Sequence, residues 1–151
     1  MKVIFLDIDG VLNSRAYDRT RGERDGNIDE SRLPLLKELV YKTNANIVLS
    51  STWRFHWNRN GAQTEQEGME LEQTFLKYGL TIYDKTPIVN NDRAAEITAW
   101  LDLNPDVERF VILDDIVFGW DKLQPNVVNT DYYIARGLEQ THIEKALELL
   151  L

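Results

Sequence analysis

Two aspartates stand one residue apart in Asp7-Ile8-Asp9-Gly10, directly after the apolar run Val3-Ile4-Phe5-Leu6. Four strand-forming residues deliver two carboxylates to one place, and a glycine turns the backbone away. Carboxylates this close repel each other, and the pair is tolerated when a cation, a phosphoryl group or a shared proton lies between them. A second pair, Asp114-Asp115, ends the run Phe110-Val111-Ile112-Leu113, and the hydroxyls of Ser50-Ser51 end the run Ile47-Val48-Leu49. Left unpaired, four gathered carboxylates would be costly, and some would keep their protons. A hard divalent cation with oxygen ligands resolves the conflict, and Mg²⁺ suits a site with few carboxylates and a phosphate supplying further oxygens. The plain alternative is that strand-end acids face water or cap helices; the coincidence of three polar strand ends argues against it. An EF-hand fails on spacing. Counted from Asp7, the positions that require Gly and Glu hold Leu12 and Asp18.

For these tips to meet, the strands must lie side by side and run the same way. Residues 3–6, 46–49, 80–83, 110–113 and 127–128 read as strands. Between them, Leu33, Leu36, Leu39 and Val40 recur at helical spacing, with Pro34 in the first turn. A second helix is expected over residues 64–78, with Thr64 and Glu67 as a capping box and Gly79 as its stop. A third carries Ala94, Ile97, Trp100 and Leu101 on one face. The last opens at Thr141, with Glu144 completing another capping box. Residues 13–28 are polar and read as a loop or flap. This alternation predicts an α/β fold, a three-layer Rossmann-like arrangement with a mainly parallel five-stranded sheet flanked by helices. Ligands of such sheets bind at the carboxyl ends of the strands, where Asp7, Asp9, Ser50, Ser51, Asp114 and Asp115 all fall.

Bulk properties narrow the possibilities. A chain of 151 residues suits one domain, 1–151, with a real core. A net charge of −8 argues against binding along an extended nucleic-acid backbone, but leaves room for a phosphate end in a locally positive pocket. The absence of cysteine excludes disulfides, thiolate catalysis and Cys-ligated zinc, and suits a reducing compartment. The first apolar run is too short for a signal-peptide core or a membrane span. A cytoplasmic location, with no membrane partner, is expected. His56 and His142 carry no metal-site signature, and His142 is expected to be structural or exposed.

The order of motifs resembles the haloacid dehalogenase (HAD) superfamily of phosphohydrolases: DIDG, an apolar run ending in Ser, a basic residue opening a helix, then a run ending in DD. The resemblance covers residues 3 to about 130. The finer pattern LSSTWR, R-x-x-E-I-x-x-W-L and VILDD is similar to small HAD domains of RNA-repair proteins and to the phosphatase half of polynucleotide kinase. The resemblance implies a nucleophilic Asp7 that forms an aspartyl phosphate, and an Asp9 that serves as acid and base and lends its carbonyl to Mg²⁺. It implies that Gly10 turns backbone N–H groups toward the phosphate, and that Ser50 or the neighbouring Ser51 bonds a phosphoryl oxygen. Asp115 would reach the metal directly, with Asp114 acting through water. The cation on the phosphate would be Arg93 or Lys85.

About forty residues separate Asp9 from Ser50, which leaves no room for a large cap domain. Within the superfamily an open site implies bulky phosphorylated substrates, and a nucleic-acid 3′-phosphate end or a nucleotide is the expected one. Arg15, Arg19, Arg21 and Arg24 in the flap, with Trp53, Arg54, Phe55, His56 and Trp57 after the second strand, could form a substrate rim that stacks a base and holds a phosphate. The alternative is a salt-bridged loop with its aromatics packed inward. Two other functions use the same residues. One is a two-metal nuclease, and the other a catalytically retired module that binds phosphate or protein.

Overall fold

The computed structural model describes residues 1–20 and 27–151. Five strands, β1 (Lys2–Leu6), β2 (Asn46–Leu49), β3 (Ile82–Lys85), β4 (Arg109–Asp114) and β5 (Val127–Asn129), form one sheet in the order β3-β2-β1-β4-β5. Every neighbouring pair is parallel. Among the described residues five α-helices accompany them: α1 (Arg15–Thr20), α2 (Leu33–Thr43), α3 (Gln66–Lys77), α4 (Arg93–Leu103) and, after the last strand, α5 (Gln140–Leu150).

Period-two alternation divides the core. Ile4, Leu6, Ile47, Leu49, Val111 and Leu113 point to one side, where they meet Leu36 and Leu39 of α2, Phe75 of α3 and Ile143 of α5. Val3, Phe5, Val48 and Ile112 point the other way, onto Ile97 and Trp100 of α4 and onto Trp120. The Phe5 ring meets the Trp100 ring edge-on at 5.4 Å between centroids. Both faces of the sheet are covered, which is why its inner strands are continuous apolar runs. The result is the expected three-layer architecture, and no large cap interrupts it. No helix among the described residues is long and apolar enough to cross a membrane.

Local expectations needed four corrections. The flap contains a helix, α1. Ser14 Oγ accepts from the Tyr17 amide at 3.3 Å, and the Tyr132 hydroxyl donates to buried Asp18 at 2.6 Å. Tertiary bonds thus order a segment whose composition reads as loop. Arg21 and Arg24 lie outside the described residues. The third strand begins at Ile82, because buried Leu80 belongs to the turn that enters it. Neither expected capping box forms. Helix α3 starts at Gln66 with Glu65 at its cap and no side-chain cap bond. Helix α5 is instead boxed by Glu139 and His142, and the Glu139 amide donates to His142 Nδ1 at 2.9 Å. His142 is structural, as expected.

One packing contact bears on the site. The chain leaves β2 into a 3₁₀ turn, Thr52–His56, and α3 lies against it. A Cβ on Gly68 of α3 would sit 2.0 Å from the His56 carbonyl oxygen. Only glycine allows so close an approach.

Candidate active site

Sheet register brings the three polar strand ends together. Leu6 pairs with Leu49 on one side and with Leu113 on the other, so Asp7, Ser50 and Asp114 emerge side by side. Two bonds extend the ladder past the strands: the Asp7 amide donates to the Leu113 carbonyl, and the Ser50 amide to the Leu6 carbonyl, each at 3.0 Å. Carboxylate oxygens of Asp7, Asp114 and Asp115 lie within 4.8 Å of one another.

Arg93 faces this cluster. It opens α4, whose cap Asp92 accepts from the Ala95 amide at 3.2 Å. Its Nη1 stands 2.6 Å from Asp114 Oδ2 and 3.3 Å from Asp7 Oδ1. A cation in the first turn opposes the helix dipole, and the two carboxylates offset that cost. Burial works against the Arg93 charge, but Asp7 and Asp114 outweigh it and hold the guanidinium above its ordinary range.

One guanidinium does not satisfy three acids. Burial, reinforced by Asp114, pushes Asp7 up to about 8 despite the pull of Arg93. Asp114 is raised by burial too, although Arg93 and the Ile116 amide resist the shift. Asp115 is raised by burial and then by Asp114. An all-oxygen donor set that is short of positive charge fits a hard divalent cation. Such an ion would return Asp7 to its anionic form at neutral pH.

Gly10 shapes the same site. Its φ is +85°, and a Cβ there would lie 2.2 Å from Asp115 Oδ2. The residue makes room for Asp115. Its own N–H donates to Asn13 Oδ1 at 2.9 Å, and its carbonyl accepts from Thr130 Oγ1 at 2.6 Å. The sharp turn expected at Gly10 is present, and the Gly10 amide itself is taken by Asn13.

Asp9 stands apart from the acid cluster and is exposed. Asn13 Nδ2 donates to its Oδ1 at 2.8 Å, and Trp53 Nε1 to its Oδ2 at 3.1 Å. The two serines also differ. Ser51 Oγ caps the 3₁₀ turn by accepting from the Trp53 amide at 3.2 Å. Ser50 Oγ is fully buried and has no hydrogen-bond partner among the described residues. Buried hydroxyls rarely go unpaired, so Ser50 Oγ, unlike Ser51 Oγ, is left uncommitted by the fold.

Residues 3–143 match the family model for the HAD domain in Swiss Army Knife RNA repair proteins. The chain belongs to this family. The match spans every site residue described above, and at this coarse level the chain is a HAD-type hydrolase domain. No curated protein matches it.

Within this HAD domain the remaining expected site residues separate clearly. Lys85 does not face the acids. Its ammonium group donates to the carbonyls of Arg54 at 3.0 Å and Trp57 at 2.6 Å, which fastens the turn after β2. Arg54 is not a rim residue. It is 3% exposed, pairs with Glu96 of α4 at 2.8 Å, and donates to the carbonyls of Ser50, Ser51 and Thr86. A guanidinium with that many fixed acceptors holds loops together. Trp57 is buried, while Phe55 and His56 are exposed. Arg15 and Arg19 are exposed on α1.

Sequence reading missed Asn13, which bridges Gly10 and Asp9, and the indole bond from Trp53 to Asp9. Asn13 follows DIDGVL directly, so its closeness along the chain was the available signal. The Trp53 bond spans 44 positions and has no local signature. His56, Glu65 and Glu67 also converge within 4.8 Å on the surface, with the His56 ring bonded to Glu65.

Proposed function

We propose that this HAD domain is a Mg²⁺-dependent phosphomonoesterase that works through an aspartyl phosphate on Asp7, and that its substrate is a nucleotide or the 3′-phosphate of a nucleic-acid end. The observation that carries this reading is the convergence of Asp7, Asp114, Asp115 and Arg93 beside the unpartnered Ser50 hydroxyl.

Asp7, Asp114 and Asp115, with the Asp9 carbonyl, would hold Mg²⁺, which when bound screens the nucleophile from the phosphate dianion. The chain's own groups do the rest. Arg93 and the Ser50 hydroxyl bind phosphoryl oxygens and aim the phosphorus at Asp7. An Asp7 oxygen forms a bond to phosphorus as the ester P–O bond breaks. The departing oxygen takes a proton from Asp9. Asp9 then removes a proton from a water, the water oxygen attacks phosphorus, and the bond to Asp7 breaks. Inorganic phosphate leaves, Asp7 is restored, and Asp9 regains its proton. Asn13 and Trp53 fix the Asp9 carboxylate from both sides for these transfers.

The test is a phosphatase screen with and without Mg²⁺. It covers mononucleotides and 3′- and 5′-phosphorylated oligonucleotides, beside Asp7→Asn. The expected result is Mg²⁺-dependent phosphate release that is almost wholly lost in the folded variant. Full activity in Asp7→Asn would remove the nucleophile. Cleavage of internal phosphodiesters without phosphate release would favour the two-metal nuclease.

A further inference from the structure

A cleft of about 440 Å³ opens beside Trp53, between α1, α3 and the 3₁₀ turn Thr52–His56. That volume lies within the range of small-molecule sites and accommodates a nucleoside or a similar ring system. Trp53 is its link to the chemistry: the indole lines the cleft, and its Nε1 donates to Asp9 Oδ2 at 3.1 Å. We propose that this cleft is the leaving-group subsite, and that it takes phosphomonoesters whose alcohol carries a ring and no further negative charge. The proposal rests on the phosphomonoesterase reading and narrows it.

Geometry gives the first argument. A group that protonates the departing oxygen must lie beside that oxygen, so the alcohol occupies the Asp9 side of the site. Trp53 joins the two, since it lines the cleft and is hydrogen-bonded to Asp9. Lining chemistry gives the second. Trp53, Ile28 and Leu71 provide apolar surface for a ring, and Tyr17 adds a second aromatic. Among the described residues, the formally charged groups lining this surface are carboxylates. Glu30 is paired with Lys77 at 2.8 Å. Glu67 and Glu70 pair with no lysine or arginine among the described residues, and both line the cleft. Among the described lining residues His56 alone is able to become cationic, and its ring is bonded to Glu65. Arg15 and Arg19, although on α1, do not line the cleft.

Carboxylates accept hydrogen bonds from hydroxyl and amino groups and repel anions. A nucleoside seated here meets them with neutral donors. A nucleic-acid strand brings its next phosphate one nucleoside away, against Glu67 and Glu70. The net charge of −8 adds to that repulsion. The cleft therefore favours single nucleotides and related ring monophosphates over strand ends.

The test uses three aryl phosphates of similar leaving-group acidity. Their para substituents are 2-aminoethyl, 2-hydroxyethyl and 2-carboxyethyl, so that the ring is constant and only the remote charge changes. The expected kcat/KM for the anionic ester is about tenfold or more below that of the neutral ester, as two nearby carboxylates would impose. The cationic ester should equal or exceed the neutral one. In Glu67→Gln/Glu70→Gln the ratio of neutral to anionic rates should fall to within about threefold. Phosphate release with no discrimination by charge, or discrimination that survives the double substitution, overturns the cleft assignment and leaves the phosphomonoesterase standing. No phosphate release from the three, with release from a mononucleotide in the same assay, overturns the cleft assignment alone; no release from either overturns both.

Discussion

Nη1 of Arg93 lies 2.6 Å from Oδ2 of Asp114. The guanidinium that would hold a substrate phosphate is already engaged with the acid cluster, and also stands 3.3 Å from Asp7. A phosphate bound there would share this cation with the carboxylates. Arg93→Ala should weaken orthovanadate inhibition at least about tenfold, as expected for the loss of a charge-assisted bond. Lys85→Ala should instead lower Tm with little change in inhibition, because Lys85 fastens carbonyls of the turn after β2. Inhibition constants and melting curves of the two variants check this. The reverse pattern would make Lys85 the phosphate cation.

Asp7 gives the metal-free protein a pH dependence of definite sign. Burial and Asp114 raise its folded pKa to about 8, well above that of the unfolded chain. Across the window between the two, the folded state keeps a proton that the unfolded state has lost. The contribution to stability is full below about pH 4 and is lost as pH rises through about 8. Asp7→Asn should remove this slope, and the gain in Tm over wild type should be larger at pH 8 than at pH 5. A constant difference between the two melting curves would contradict it.

The same proton governs metal affinity. Mg²⁺ must displace it, so binding should tighten from pH 6 to pH 8 and release protons to the buffer. Titration calorimetry in buffers of different ionisation enthalpy reads both effects. Affinity that is flat across that range, with no proton release, would contradict a metal held by Asp7.

Arg54 and Glu96 form a buried pair, 3% and 4% exposed. Burial pulls the Arg54 pKa down, and Glu96 opposes that shift. Glu96→Gln leaves the guanidinium without its counter-charge, a change that costs about 3–5 kcal/mol in comparable pairs. Chemical denaturation should show a loss of that size at pH 7. A loss under about 1 kcal/mol, the range of exposed pairs, would return Arg54 to the surface role its position in the sequence suggested.

Gly68 reverses a common rule. Replacing glycine by alanine inside a helix ordinarily stabilises by about 0.5–1 kcal/mol. Here the added methyl would sit 2.0 Å from the His56 carbonyl oxygen, a backbone atom that cannot move alone. Gly68→Ala should destabilise by about 1–3 kcal/mol, as overpacking does. It should also disturb the turn that carries Trp53. A higher Tm for the variant would contradict the close approach of α3 to that turn.

The central strands were legible because a parallel sheet covered on both faces writes itself as continuous apolar runs. Their polar endings located Asp7, Ser50 and Asp114 on one rim. β3 was harder, since Leu80 is apolar but belongs to the turn before it. Helix α1 is only six residues long, mostly polar, and relies on bonds such as that from Tyr132 to Asp18, 114 positions away. Sequence also could not decide between Ser50 and Ser51. Register and the cap bond to Trp53 separate them. Arg54 looked like part of a basic rim because a residue type does not reveal which way a side chain points. Its acceptors lie after β2, after β3 and on α4, and come together only in the fold.

The most direct test of the whole account is to trap the nucleophile. Enzyme turning over a phosphomonoester with Mg²⁺ is quenched in acid and reduced with borohydride, which converts an aspartyl phosphate to homoserine, and its peptides are mapped by mass spectrometry. The expected result is conversion at Asp7 and at no other aspartate, and none without substrate. Turnover with no modified aspartate, or modification at Asp9, Asp114 or Asp115 instead, would contradict it.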